Sequence, residues 1–447
     1  LNNLLYLMLI TGFFAPLYLF AQTRDIVMLH DFGSGNNGWD AYEFLFESER
    51  DIHAHRFLYN NQDGVANAAT DAHTNMITNS VPQSQNNIGI GHSTGGTVFR
   101  KLDEQGMDEH FGGIITACTG HHGLQFANAY TNGEVEDFFD EGCHQVLTQP
   151  VFTMVSLLGP SFSVFTPIIQ SLGGNLVCSF AYQSLQNEMS DFLSPNTIGD
   201  MSVGSTELAN INSFPSTKHI VTLWGNEQSP VHWRFLSSLQ PANRPVNINP
   251  VPSLYIDRDV QFVNTMNTLH GVETTMGIIS HSYGLLHLLF WNFYQAGNWF
   301  YIRDQWMQGA DWIENSESGW NELTGSNGWV TLPVEVDDVF VCNAEMLELL
   351  RDWKDDIITF EQFEAATEAL LNDPNCYETG TIMSAFPVNG ESDGLVNSLT
   401  ARVTANTCHL KVENANHQEL VNHPSAYDAF EVIFKKEDCV HPFFETD

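Results

Sequence analysis

Positive charge is what this sequence has least of. Lysine and arginine together number 16 against 54 aspartates and glutamates in 447 residues, a formal charge of −38. Acids stand near their usual share, whereas bases are at roughly a third of theirs. The acidity is therefore a shortage of cations. Holding a phosphate backbone takes clustered Lys and Arg, so nucleic-acid binding is excluded, and an anionic membrane repels the chain on average. Charged residues make up only 16% of the chain, which excludes a solvated disordered polymer. Internal repeats, low-complexity tracts, Cys-x-x-Cys pairs, zinc-ligand spacings and calcium loops of recognised spacing are also missing. No metal or other cofactor is expected.

What is present is apolar. Hydrophobic residues make up 43% and aromatics 12%, enough for a large core. The length fits about three domains, or one α/β domain carrying big insertions. From Leu1 to Gln22 there is no charge, and the apolar stretch Leu4–Phe20 ends in Phe20-Ala21-Gln22. That pattern fits a secretory signal over residues 1–21, cut after Ala21, and a secreted or extracytoplasmic protein. Gly12 and Pro16 weaken the alternative of a membrane anchor. Of seven cysteines, Cys342 and Cys376 flank one helical segment and are the first expected bridge. Cys118 and Cys408 lie in strand-like runs and read as core thiols.

Short apolar runs at Asp25–His30, His55–Tyr59, Asn87–His92, Gly113–Cys118, His219–Gly225 and Thr407–Glu413 read as strands. Helical segments such as Thr97–Leu102 lie between several of them. Alternation of this kind implies an α/β fold with a mainly parallel sheet covered on both faces. Two blocks interrupt it, at about 130–215 and 230–377. The first contains the nearly uncharged run Val151–Tyr182. The second holds the aromatic stretch Leu285–Tyr301 and the acidic amphipathic stretch Asn343–Leu371. Both are expected to be helical caps on the catalytic domain, because a structureless loop of that length is implausible.

Gly91-His92-Ser93-Thr94-Gly95 fits G-x-S-x-G, follows a strand and opens a helix. This is the setting in which a serine is presented on a sharp turn. The chain here resembles an α/β-hydrolase of the bacterial secreted lipase/esterase group, in which Gly-His-Ser-x-Gly-Gly is frequent. His30-Asp31-Phe32-Gly33 resembles that group's His-Gly-Phe oxyanion segment, and Thr119-Gly120-His121-His122-Gly123 its Thr-Pro-His-x-Gly turn. Ser392-Asp393-Gly394-Leu395-Val396 resembles its acid turn, and Asn416-His417-Gln418-Glu419-Leu420-Val421 its histidine loop. The resemblance covers roughly residues 25–130, 215–230 and 380–435.

It implies Ser93 as nucleophile, His417 as base and Asp393 as the carboxylate orienting His417, in the chain order of that fold. By position, the backbone N–H groups of Thr94 and Phe32 would receive the oxyanion. Rivals stand beside each assignment: His423 for the base, Glu227 for the acid, and Ser282 in Ser280-His281-Ser282-Tyr283-Gly284 for the nucleophile. Asp31 occupies a place where the group has glycine. Because an ionised carboxylate beside an oxyanion opposes the transition state, Asp31 is expected to point away or to be hydrogen-bonded.

The implied activity is carboxylic-ester hydrolysis through an acyl-enzyme. Alternatives are acyl transfer on the same fold, or a non-catalytic extracellular binding protein using it as a scaffold. The uncharged aromatic caps suit either an apolar ester or lipid substrate, met at a lipid interface through a lid, or helices that simply pack on each other. Nothing in the sequence speaks to oligomeric state.

Overall fold

A computed structural model describes residues 24–31, 39, 52–148, 186, 193–239, 259–340, 342–354, 357–404 and 407–446. The signal-like segment, Phe32 and the apolar run 151–182 lie outside them.

The chain opens with β1 (Ile26–Leu29), β2 (Ala54–Arg56), α1 (Val65–Thr78), β3 (Ile88–His92), α2 (Thr94–Glu104) and β4 (Gly113–Ala117). Four short helices follow: α3 (Gln125–Thr131), α4 (Glu134–Cys143), α5 (Pro195–Met201) and α6 (Thr206–Ser213). After β5 (His219–Asn226) come α7 (Val231–Ser238) and two long helices, α8 (Asp259–Leu289) and α9 (Phe293–Thr324). Next are β6 (Trp329–Phe340), α10 (Asn343–Lys354), α11 (Phe360–Leu371) and β7 (Tyr377–Pro387). The chain closes with β8 (Cys408–Glu413) and α12 (Pro424–Phe434).

Among the described residues the main sheet runs β2-β1-β3-β4-β5-β8, and each neighbouring pair is parallel. β1, β3 and β4 are buried along their whole length and mostly apolar, as strands covered on both faces are. Ile26 and Met28 point to one face, where Phe430, Ile433 and Phe434 of α12 pack. Val27 and Leu29 point to the other, against Ala68, Ala72 and Met76 of α1 and Val98, Phe99 and Leu102 of α2. β2 is shorter than the run His55–Tyr59 implies, since Phe57 and Tyr59 join the α1 side of the core. Strand order reverses between β1 and β3. The crevice beyond the carboxyl ends of strands at such a reversal is where ligands bind in open α/β sheets.

α8 and α9 pack along each other as a helical hairpin. Its base joins a cluster with Phe126, Phe139, Trp233, Phe235, Trp306 and Trp320, so the cap is welded to the sheet side by aromatic burial.

Two expectations need correction. The block 230–377 is not wholly helical, because β6 and β7 form a two-stranded antiparallel ribbon. The alternation Val330, Leu332, Val334, Val336 has the strand period, and Leu332 packs on Val388 and Leu399. Pro333 is tolerated because a two-stranded ribbon has only edge strands. The helices α10 and α11 sit at the ribbon's far end, closed by the expected Cys342–Cys376 bridge. The second correction concerns Cys408, which is no core thiol. It is bonded to Cys439 and ties β8 to the segment after α12. Cys118 is free and buried.

Candidate active site

Ser93 sits between β3 and α2 with φ at 54°, a left-handed conformation that L side chains rarely adopt. Neighbouring glycines make the turn possible. A Cβ on Gly91 would lie 2.4 Å from the backbone of Gly95 and Gly96, and one on Gly95 would lie 2.6 Å from the Leu29 carbonyl oxygen. The turn is locked from outside as well. Ser93 N–H donates to the Ala117 carbonyl at 2.8 Å, and the Thr119 hydroxyl donates to the Ser93 carbonyl at 2.8 Å.

His417 Nε2 lies 2.9 Å from Ser93 Oγ, and His417 Nδ1 lies 3.0 Å from Asp393 Oδ2. The other carboxylate oxygen of Asp393 accepts from the backbone N–H groups of Leu395 and Val396 at 2.9 and 2.7 Å. A second tie runs between the same two loops, from His417 N–H to the Asp393 carbonyl at 2.9 Å. Gly394, with φ at 95°, lets Phe235 close beneath the acid turn, and Trp320 Nε1 donates to the Gly394 carbonyl at 2.8 Å. Thus Ser93 at the end of β3, the turn before β8 and the loop after β8 deliver one hydrogen-bonded chain of three side chains. This is the α/β-hydrolase fold.

No protein-family profile matches the chain. No curated protein sequence matches it either. Among solved structures, it is similar to an extracellular α/β-hydrolase from a Paenibacillus species at 14% identity, over 44% of this chain and 76% of that one, with a TM-score of 0.25. It is also similar to the mature form of the Bacillus licheniformis lipase BlEst2 at 11% identity, over 92% and 91% of the two chains, with a TM-score of 0.31.

Rival residues fall elsewhere. Ser282 lies on the exposed side of α8, its hydroxyl bonded to the Ile278 carbonyl. His423 caps α12, its Nδ1 accepting from Ser425 N–H. Glu227 accepts from the Asn416 side chain at 3.2 Å and the Gln228 N–H at 2.6 Å, so it buttresses the histidine loop. Beside it, burial and the Glu227 carboxylate push the Glu419 carboxyl well above its ordinary range.

Thr94 is the first residue of α2. A first-turn backbone N–H has no intrahelical acceptor, and the helix dipole is positive there. Phe32 lies outside the described residues. Asp31, also buried, accepts from Gln418 Nε2 at 3.1 Å and lies 3.4 Å from His92 Nδ1. Burial raises its pKa, but the histidines around it, His92 foremost, outweigh burial and leave it lowered.

Two residues escaped the motif reading. His92, the variable position in G-x-S-x-G, donates through Nε2 to the His417 carbonyl at 2.8 Å. The Cys118 thiol lies close to the Asp393 carboxylate, and burial, then that carboxylate, push its pKa well up. Ligand atoms of Cys118, Asp393 and His417 lie within 4.8 Å of one another. Asp393 and His417 are committed to the Ser93 chain, and a thiol held protonated is a poor metal ligand.

Proposed function

We propose that this chain is a serine carboxylic-ester hydrolase, exported from the cytoplasm and acting on apolar esters or lipids through an acyl-enzyme. The observation that carries the reading is the continuous hydrogen-bonded chain Ser93–His417–Asp393. A serine hydroxyl becomes nucleophilic when a base takes its proton, and the base needs a carboxylate to hold its tautomer. Ser93 Oγ attacks the ester carbonyl carbon while His417 Nε2 takes the hydroxyl proton. The oxyanion that forms is received by Thr94 N–H, with Phe32 N–H as the expected second donor. Collapse breaks the bond to the alkoxide, which leaves with the proton from His417. Water, activated by the same imidazole, then releases the acid and restores Ser93.

Apolar substrates are supported by the hairpin of α8 and α9. No Asp, Glu, Lys or Arg occurs between Glu273 and Arg303, and its tip exposes Leu289, Phe290, Phe293, Tyr294 and Trp291, the last at 79%. A neutral apolar tip on an acidic protein suits an uncharged lipid interface. Ser93 itself is 3% exposed, which suits a lid that moves to admit substrate. Export is supported by two disulfides, which persist in oxidising compartments. No helix among the described residues is long and apolar enough to cross a membrane.

A fluorophosphonate probe tests the assignment. It is expected to label the wild-type protein at Ser93 and to leave Ser93→Ala unlabelled and inactive on esters. Undiminished turnover in that variant sinks it. An ester chain-length series, run with and without emulsion and with an added alcohol, separates the finer readings. Rate rising with acyl length and jumping at the interface supports lipid hydrolysis, while ester product from the alcohol supports acyl transfer.

A further inference from the structure

Beside the amino end of β4, away from Ser93 at the carboxyl end of β3, three potential metal ligands converge. His73 lies on α1; Glu109 and His110 lie in the loop leading into β4. His73 Nε2 is 2.8 Å from Glu109 Oε1, and His110 Nε2 is 3.9 Å from the same oxygen. The ligand atoms of all three lie within 4.8 Å of one another. Because His110 precedes β4 and Ser93 follows β3, the length of a strand, about 15 Å, separates this cluster from the active site.

His110 singles the cluster out from an ordinary surface ion pair. It is 1% exposed, and neither ring nitrogen has a hydrogen-bond partner. Buried polar atoms are almost always partnered, and an exception calls for an explanation such as a missing ion. The loop that carries His110 is firmly held. Asn87 Nδ2 donates to the His110 carbonyl at 3.1 Å, Gly112 N–H donates to the Asn87 carbonyl at 3.0 Å, and Lys218 Nζ donates to the Phe111 carbonyl at 3.1 Å. The imidazole is therefore presented without a hydrogen-bond partner, on a backbone that is held in place.

We infer that His73, Glu109 and His110 form a binding site for a divalent transition metal of the zinc type. Two imidazoles and one carboxylate are borderline donors that favour such ions over calcium or magnesium, which take more oxygen ligands. Bonds of about 2.0–2.1 Å at tetrahedral angles place ligand atoms about 3.3 Å apart. The two measured separations, 2.8 and 3.9 Å, bracket that value, so small side-chain rotations suffice. Water takes the fourth position, with access past the side chains of His73 and Glu109, which are 20% and 37% exposed. The ion clamps α1 to the loop before β4, two elements that flank the strand and helix carrying Ser93. This role is structural and does not depend on the hydrolase reading.

Cobalt(II) titration of the full, metal-stripped chain tests the site. One equivalent is expected to bind with the intense visible bands of tetrahedral nitrogen and oxygen coordination, and zinc is expected to displace it. Sulfur-to-cobalt charge transfer in the near ultraviolet would instead place the ion at Cys118 and overturn the proposal. His73→Ala and Glu109→Gln alter half-buried positions, which favours folding, and each is expected to weaken binding by at least about 100-fold. Zinc is expected to raise the melting temperature of the wild-type chain but not of His73→Ala, with ester turnover alike in both. Binding that survives in both variants, or weak octahedral cobalt spectra in the wild type, refutes the site.

Discussion

His92 Nε2 donates to the backbone carbonyl of His417 at 2.8 Å, across 325 positions of sequence. The residue beside Ser93, the proposed nucleophile, thus holds the main chain of His417, the proposed base. With His417 N–H bonded to Asp393, the peptide groups on both sides of the base are pinned. His92→Ala is expected to lower kcat on a soluble activated ester by about 10²-fold, the usual consequence of a misplacement near 1 Å. KM should change little, and His92→Gln, which retains a donor, should recover part of the loss. Equal kcat in wild type and His92→Ala removes the positioning role.

Asp31 faces the other nitrogen of His92, and its pKa is lowered despite burial. A carboxyl whose folded pKa lies below its unfolded value stabilises the fold above the unfolded value and loses that contribution as pH falls through the folded one. Asp31→Asn is therefore expected to be less stable than wild type from neutral pH down to about pH 4, with the gap closing below it. Urea midpoints across that range check this. A gap that widens in acid contradicts it.

How far the sequence could be read follows from how local each signal is. The parallel strands show themselves because each is a short apolar run bounded by turn residues, as in Ile88–His92. The ribbon of β6 and β7 does not. Trp329 pairs with Pro387, and the helices α10 and α11 lie between the two strands, so the pairing has no local signature. At the site, Ser93, Asp393 and His417 each sit in a short motif. The roles of His92 and Cys118 depend on partners from distant strands and are invisible until the sheet is assembled.

Glu273 is fully buried on α8 against Gly309 of α9, where the missing Cβ makes room for its carboxyl. Neither oxygen has a hydrogen-bond partner, and burial pushes its pKa up to about 9. Between the ordinary carboxyl value and about 9 the folded state keeps a proton that the unfolded chain has lost. Stability accordingly falls with rising pH across that window, by about 1.4 kcal/mol per pH unit. Glu273→Gln, which needs no proton, is expected to be more stable than wild type at pH 8 and to lose the slope. A wild-type unfolding free energy that is flat over this window overturns the argument.

The Cys408–Cys439 bridge spans 31 residues and anchors β8, the strand that feeds the His417 loop. Closing a loop of that length restricts the unfolded chain by about 3–4 kcal/mol on the chain-entropy estimate. Replacing both cysteines by alanine is expected to lower the stability by that order and to shorten the half-life of ester turnover on heating. Denaturant unfolding of the double variant measures it. A change below about 1 kcal/mol would mean that the reduced strand is held as well by its packing.

Cys118 follows β4 with φ at 52°, and its thiol lies close to Asp393. Burial and that carboxylate both disfavour the thiolate, the reactive form. Iodoacetamide at pH 8 is expected to leave the Cys118 peptide unmodified in the folded protein and to alkylate it once the chain is unfolded in urea, as read by mass spectrometry. Cys118→Ala removes a polar neighbour of Asp393, the carboxylate proposed to orient His417. The loss of one weak polar contact predicts a fall in kcat of at most about 5-fold, small beside that expected for His92→Ala, because Asp393 keeps its two backbone donors. A larger loss in Cys118→Ala than in His92→Ala would reverse that order and make the thiol the stronger support of the base.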